Sequence, residues 1–102
     1  MPVPTEKILE EDVCKSLRDF WKKQKFFYIR NQQGMGSKRG TADYTVVKNG
    51  WTAWVEAKSP VGKQSAPQLQ FQKELEGAGG YYMIVHSLEE FIDKWKERYG
   101  KL

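Results

Sequence analysis

Residues 40–58 read Gly40-Thr-Ala-Asp43-Tyr-Thr-Val-Val-Lys48-Asn49-Gly50-Trp51-Thr-Ala-Trp-Val-Glu56-Ala57-Lys58. Two runs rich in β-branched and aromatic residues, Tyr44–Lys48 and Trp51–Lys58, flank Asn49-Gly50, and such runs favour strands. Asn-Gly between two strands is the strongest short hairpin signal, because both turn residues take positive φ. A two-residue turn at 49–50 pairs residues whose numbers sum to about 99, which sets Asp43 opposite Glu56 to within a residue. Side chains alternate along a strand, so Glu56 and Lys58 share a face. Two carboxylates therefore meet on adjacent strands, with a lysine beside them.

Outward from the hairpin, the chain reads as a series of short elements. Upstream, Ile8 or Leu9, Val13, Leu17 and Phe20 or Trp21 recur at helical spacing, which predicts an amphipathic helix capped by Thr5 and running to about Gln24. Phe26–Arg30 reads as a strand and the glycine-rich stretch Gln33–Gly40 as a loop. Downstream, Ser59–Ser65 is a loop, Ala66-Pro67 opens a helix and the glycines from Gly77 to Gly80 stop it. Tyr81–Val85 is a short buried strand. Ser87-Leu88-Glu89-Glu90 is a capping box for a last helix carrying Phe91, Ile92, Trp95 and Tyr99. The order is α-β-β-β-α-β-α. The hairpin gives an antiparallel pair and the helical crossover favours a parallel one. The expected fold class is α/β, a sandwich with a mixed sheet flanked by helices.

The sequence has 102 residues and is expected to form a single domain over 1–102, with a small core. No apolar run approaches a membrane span and no signal peptide opens the chain. A lone cysteine, Cys14, offers neither an internal disulfide nor a cysteine metal site, and a reducing, cytoplasmic setting is the expectation. The net charge is +4, and its distribution is informative. From Phe20 to Lys73 there are ten Lys or Arg residues but only two acidic ones, Asp43 and Glu56. So basic a middle section reads as a phosphate-contacting face. A polyanion would repel two lone carboxylates there, unless they hold a divalent cation.

This set suits phosphodiester hydrolysis. Asp43, Glu56 and the backbone carbonyl of Ala57 can hold Mg²⁺, with waters completing an octahedron. The ion lowers the pKa of a bound water and neutralises charge developing on the phosphate. Lys58 can orient or deprotonate that water, or stabilise the transition state. The same residues have ordinary readings as a turn-capping Asp and a solvated Glu–Lys pair, and Glu-x-Lys alone is a weak motif. The partner-strand Asp, the register and the basic surroundings tip the balance.

Taken in order, Glu10, Arg30-Asn31, Gly40-x-x-Asp43, Glu56-Ala-Lys58, Gln68-x-x-Phe71 and the glycines at 77–80 resemble the VRR-NUC (virus-type replication-repair nuclease) branch of the PD-(D/E)XK nucleases. The resemblance spans Glu10 to about Phe91, with Ala42 where that family usually has Pro. It implies a restriction-endonuclease-like fold. It also implies Asp43 and Glu56 as metal ligands, Lys58 as the catalytic lysine, Glu10 reaching the metal or its waters, and Gln68 orienting the phosphate or the water. Glu11 rivals Glu10; Gln70 and Gln72 rival Gln68. By resemblance the function is that of a Mg²⁺-dependent DNA endonuclease, with Mn²⁺ as substitute. A Holliday-junction-resolvase-like preference for branched DNA is implied too, as in phage and mobile-element nucleases. One site cutting two strands symmetrically calls for a homodimer.

Arg30, Lys38, Arg39 and Lys63 are expected to contact DNA phosphates. His86 reads as structural, since it has no companion ligand. Trp51 and Trp54 lie on opposite faces of one strand, so at least one is core, while either could stack on bases. Trp95 and Tyr99 read as helix packing or a dimer surface. The glycines at 34, 36 and 40 lack the strand-to-helix turn that a nucleotide-binding fingerprint needs. Two other functions remain open: a non-catalytic DNA-binding module on a nuclease fold, and a protein-interaction domain.

Overall fold

A computed structural model of the chain describes residues 6–32 and 38–102, with side chains from residue 10 onward. The elements are α1 (Glu6–Lys23), β1 (Phe27–Arg30), β2 (Tyr44–Lys48), β3 (Trp51–Ala57), α2 (Ala66–Gly77), β4 (Tyr82–Val85) and α3 (Leu88–Tyr99). This is the order expected from the sequence. The cap at Thr5 and residues 33–37 of the glycine-rich loop lie outside the described residues.

The four strands form one sheet in the order β1-β2-β3-β4. β1 and β2 pair antiparallel, as do β2 and β3, whereas β3 and β4 are parallel. Asn49 and Gly50 both take positive φ, 57° and 81°, the requirement of a type I′ hairpin turn. Lys48 consequently pairs with Trp51 and Tyr44 with Val55, the register expected from the turn. The fourth strand returns parallel because a whole helix, α2, separates it from β3.

The register fixes which face each side chain takes. Ala53, Val55 and Ala57 of β3 and Tyr44 and Val46 of β2 point toward α1 and α3 and are fully buried. There they meet Trp21, Phe26, Phe91 and Trp95, whose rings pack mostly edge to face. Trp54, on the opposite face, packs against Phe71 of α2 and joins a smaller cluster with Ala42 and Tyr82. Trp51 stacks flat on Tyr99, with the planes 3° apart. Both tryptophans of β3 thus pack on other rings of the protein.

Two helix starts differ from the sequence expectation. The reciprocal capping box forms at α2: the Ser65 hydroxyl accepts from the Gln68 N–H, and the Gln68 side chain accepts from the Ser65 N–H. At α3 only half of the expected box forms. Ser87 Oγ accepts from the Glu90 N–H, but the Glu90 carboxylate takes the N–H of His86 and lies 2.9 Å from His86 Nδ1. A nearby imidazole gives this carboxylate a better partner than the Ser87 amide, and His86 is structural, as its isolation in the sequence suggested.

Candidate metal centre

The candidate site forms where β2 begins and β3 ends. Asp43 immediately precedes β2, and its Oδ2 accepts a hydrogen bond from the Ala57 N–H at 3.0 Å. This contact ties the carboxylate across the hairpin to the peptide joining Glu56 to Ala57. The backbone of Asp43 is held from the other side by Asn31, which follows β1. The Asn31 N–H donates to Asp43 O at 2.8 Å, and its Nδ2 donates to Ala42 O at 2.9 Å and Thr45 Oγ1 at 3.0 Å. Asn31 is a positioning residue whose role sequence reading left unassigned. The signal was its place one step beyond Arg30, which pairs with Tyr44.

Glu56 is only 3% exposed. Its Oε2 accepts from Gln68 Nε2 at 3.0 Å and lies 3.6 Å from Lys58 Nζ. Its Oε1 is buried with no hydrogen-bond partner among the described residues. Burial of so poorly satisfied a carboxylate pushes its pKa from 4.5 up to about 8. The charge of Asp43 adds to the rise; the ammonium of Lys58 opposes it but does not offset it. The same charges reach their neighbours. Tyr82 is pushed up to about 12, by burial first and the Glu56 charge second. The Cys14 thiol is also raised, by burial first and Asp43 second, which makes it a poor nucleophile.

Gln68 owes its orientation to its dual bonding. Its Oε1 is committed to the Ser65 N–H, which turns the amide nitrogen toward Glu56. Of the two rivals, Gln70 donates to Glu74 and Gln72 to Glu76. The first turn of α2 is in turn held against Gly40. A Cβ at Gly40 would lie 2.1 Å from Pro67 O and 2.6 Å from Gln68 N, and its φ is +75°. Only glycine permits both the conformation and the approach. Sequence reading treated Gly40 as part of a loop and could not see this contact with a residue 27 positions later.

Glu10 faces this cluster from α1, and its charge bears on both Cys14 and Glu56. Glu11 is exposed, so Glu10 is the better placed of the two. Among the described residues, however, no three Asp, Glu, His or Cys side chains converge closely enough to ligate one ion. The donor set on hand is therefore a pair of carboxylates. That set fits Mg²⁺, which keeps several waters and is often held by one or two carboxylates. The Glu56 oxygen that finds no donor among the described residues, beside Asp43, is the observation that fits a cation best: without one, the two carboxyl groups are left to share a proton, which adds to the raised pKa of Glu56.

The expected phosphate contacts are dispersed. Arg30 is exposed and its guanidinium lies over the Tyr44 ring, 5.7 Å from the centroid, on the α1 side of the sheet. Lys38 pairs with Glu74 of α2 at 3.1 Å. Arg39 is exposed beside it, lining a shallow depression with Pro67 and Gln70, and Lys63 is exposed in the loop after the site. A second guanidinium, that of Arg18, donates to the Tyr44 hydroxyl at 2.8 Å and was not singled out in the sequence.

No protein-family model matches this chain, and no curated protein does. A solved structure described as a VRR_NUC domain matches over 89% of this chain and 97% of its own, with a TM-score of 0.73 at 22% identity. The chain accordingly has the fold of a VRR_NUC domain, a restriction-endonuclease-like α/β sandwich.

Proposed function

We propose that this chain is a metal-dependent DNA endonuclease that hydrolyses phosphodiester bonds with an activated water. The observation that carries the reading is the buried, under-satisfied Glu56 carboxylate, set beside Asp43 and 3.6 Å from Lys58 Nζ. Such a group is costly in a metal-free fold. Its presence in an otherwise basic middle section is economical only if a cation binds there. The likeness in fold to a VRR_NUC domain supports the same assignment.

In this reading Asp43, Glu56 and the Ala57 carbonyl hold Mg²⁺, with Glu10 reaching its waters. The bound ion would supply water activation and charge neutralisation at the phosphate. Gln68 holds Glu56 in the ligating orientation through its bond to Oε2. Asn31 and the Ala57 N–H fix Asp43. Lys58, 14% exposed, is placed to hold the attacking water or to offset charge on the phosphate. Arg30, Lys38, Arg39 and Lys63, dispersed over both faces of the sheet, contact phosphates of a substrate that extends beyond the cleft. The substrate is branched DNA such as a four-way junction, cut symmetrically by a homodimer.

The test is cleavage of labelled junctions, flaps and linear duplexes by purified protein in Mg²⁺ or Mn²⁺, beside Lys58→Ala. Cleavage by the wild type, reduced at least a hundredfold in Lys58→Ala and abolished by chelator, is expected. Salt-sensitive binding with no cleavage of any substrate would instead assign a DNA-binding module.

A further inference from the structure

Two guanidinium groups converge on one buried phenol. Arg18 Nη1 of α1 donates to the Tyr44 hydroxyl at 2.8 Å, and Arg30, at the end of β1, lies over the same ring, 5.7 Å from its centroid. Tyr44 is fully buried against Trp21 and Tyr28, so it holds both groups from a fixed position on the α1 side of the sheet. Among the described residues, no carboxylate lies within ion-pair distance of either guanidinium. The positions one turn from Arg18 along α1 are Cys14, Lys15, Trp21 and Lys22. Asp19, next to Arg18 in sequence, is taken by Lys15 at 2.9 Å. The acidic charges that reach this neighbourhood are Asp43 and Glu10, which act on Cys14 as Arg30 does, and both are candidate metal ligands.

We propose that Arg18 and Arg30 form a clamp for a backbone phosphate of the DNA, gripping it on the α1 side a few nucleotides from the reacting bond. The inference rests on the function proposed above and adds to that site a substrate-positioning residue, Arg18.

The chemistry and the position both favour this ligand. Two like charges gathered at one phenol repel each other, and an anion between them relieves the repulsion. A planar guanidinium offers paired N–H donors that match phosphate oxygens. Arg18 commits one of its five N–H groups to Tyr44, and lying over a ring consumes none of those of Arg30. The clamp also stands at the same end of the sheet as the carboxylates. Arg30 pairs with Tyr44, Asp43 directly precedes Tyr44, and the Asn31 N–H donates to Asp43 O. Tyr44 and Asp43 project to opposite faces, so a strand held at both crosses the end of the sheet, where Glu10 faces the cluster from α1. Arg18 lies two turns of α1 from Glu10, about 12 Å, or roughly three to four phosphates at about 3.4 Å of rise per nucleotide. The competing role is structural, with the Arg18–Tyr44 bond only pinning α1 to the sheet. A neutral donor would satisfy the hydroxyl equally well, and a charge without a counterion is more than that role requires.

The experiment measures binding of a labelled duplex by fluorescence anisotropy between about 50 and 200 mM salt, in chelator so that cleavage plays no part. Arg18→Gln keeps an amide donor for Tyr44 and removes the charge. Arg18→Gln and Arg30→Gln are each expected to weaken binding about tenfold at the lowest salt and to reduce the slope of log K against log salt by about 0.9. Lys101→Gln removes one charge beyond the end of α3, where Tyr99 bonds Thr52 near the hairpin turn, and should change affinity less than twofold. Arg18→Lys should restore the slope but only part of the affinity, because an ammonium keeps the charge and loses the fork. Tyr44→Phe should keep the wild-type slope. Unchanged slopes in Arg18→Gln and Arg30→Gln, or changes no larger than that of Lys101→Gln, would overturn the proposal and leave the bond as a structural pin. So would a wild type that binds no duplex at the lowest salt. Failure of the nuclease reading would appear separately, as a wild type with the expected salt dependence that cleaves nothing in Mg²⁺ or Mn²⁺.

Discussion

Replacing Glu56 by glutamine should stabilise the metal-free protein, and the effect should depend on pH in one direction. In the native state the Glu56 carboxyl titrates near 8 rather than 4.5, chiefly because it is buried and secondarily because Asp43 is close. Between those values the native state holds a proton that the unfolded chain has released. Stability therefore falls as pH rises through this window and levels off above about 8. Below 4.5 both states are protonated and the residue carries no penalty. The side chain is almost fully buried, so solvent screens little of this. The full penalty is on the order of 5 kcal/mol, a large share of the roughly 5–15 kcal/mol that holds a small domain together. Glu56→Gln removes the titration while keeping an oxygen for Gln68 Nε2. Urea denaturation of both proteins in chelator from pH 4 to 9 should give similar midpoints at the acid end. A gap in favour of Glu56→Gln should open to a few kcal/mol by pH 8. Saturating Mg²⁺ should close the gap by stabilising the wild type, since a cation binding only the native form adds its binding energy to the fold. Parallel stability curves across the whole range would refute the reasoning, because they would mean that Glu56 ionises as freely in the fold as outside it.

Other substitutions separate the parts of the site. Gly40→Ala places a Cβ against Pro67 at a backbone angle that L residues resist, and should cost about 2–4 kcal/mol in denaturant unfolding, with loss of metal affinity as the first turn of α2 moves. Gln68→Ala removes one half of a capping box and the only hydrogen bond to Glu56 Oε2 from α2, so calorimetry should show about 0.5–2 kcal/mol of destabilisation and weaker Mn²⁺ binding. Gln72→Ala, whose amide serves Gln64 and Glu76, should leave Mn²⁺ affinity within twofold of wild type by the same titration.

Much of this arrangement was legible in the sequence because short-range rules governed it. Asn49-Gly50 admits one turn geometry, and with it the register that sets Asp43 across from Glu56. The two-residue spacing of Glu56 and Lys58 put them on one face before any packing was known. Helix periodicity placed Leu17, Trp21, Phe91 and Trp95 in the core, where they are fully buried. What escaped was tertiary. Nothing near Gly40 in the sequence signals that it abuts Pro67. Nothing near Gln68 shows that its amide divides between Ser65 and Glu56. Arg18 reads as a solvated helix residue until Tyr44 arrives to accept its hydrogen bond. Glu90 fits a capping box by spacing, yet binds His86 instead, since the competing donor is set by backbone direction at the end of β4.

The central claim is that Asp43 and Glu56 share a divalent cation. Anomalous diffraction from crystals soaked in Mn²⁺ tests it most directly. One strong peak within about 2.0–2.3 Å of an oxygen of each carboxylate is expected. A saturating soak with no peak between them, and density elsewhere or none, would contradict it.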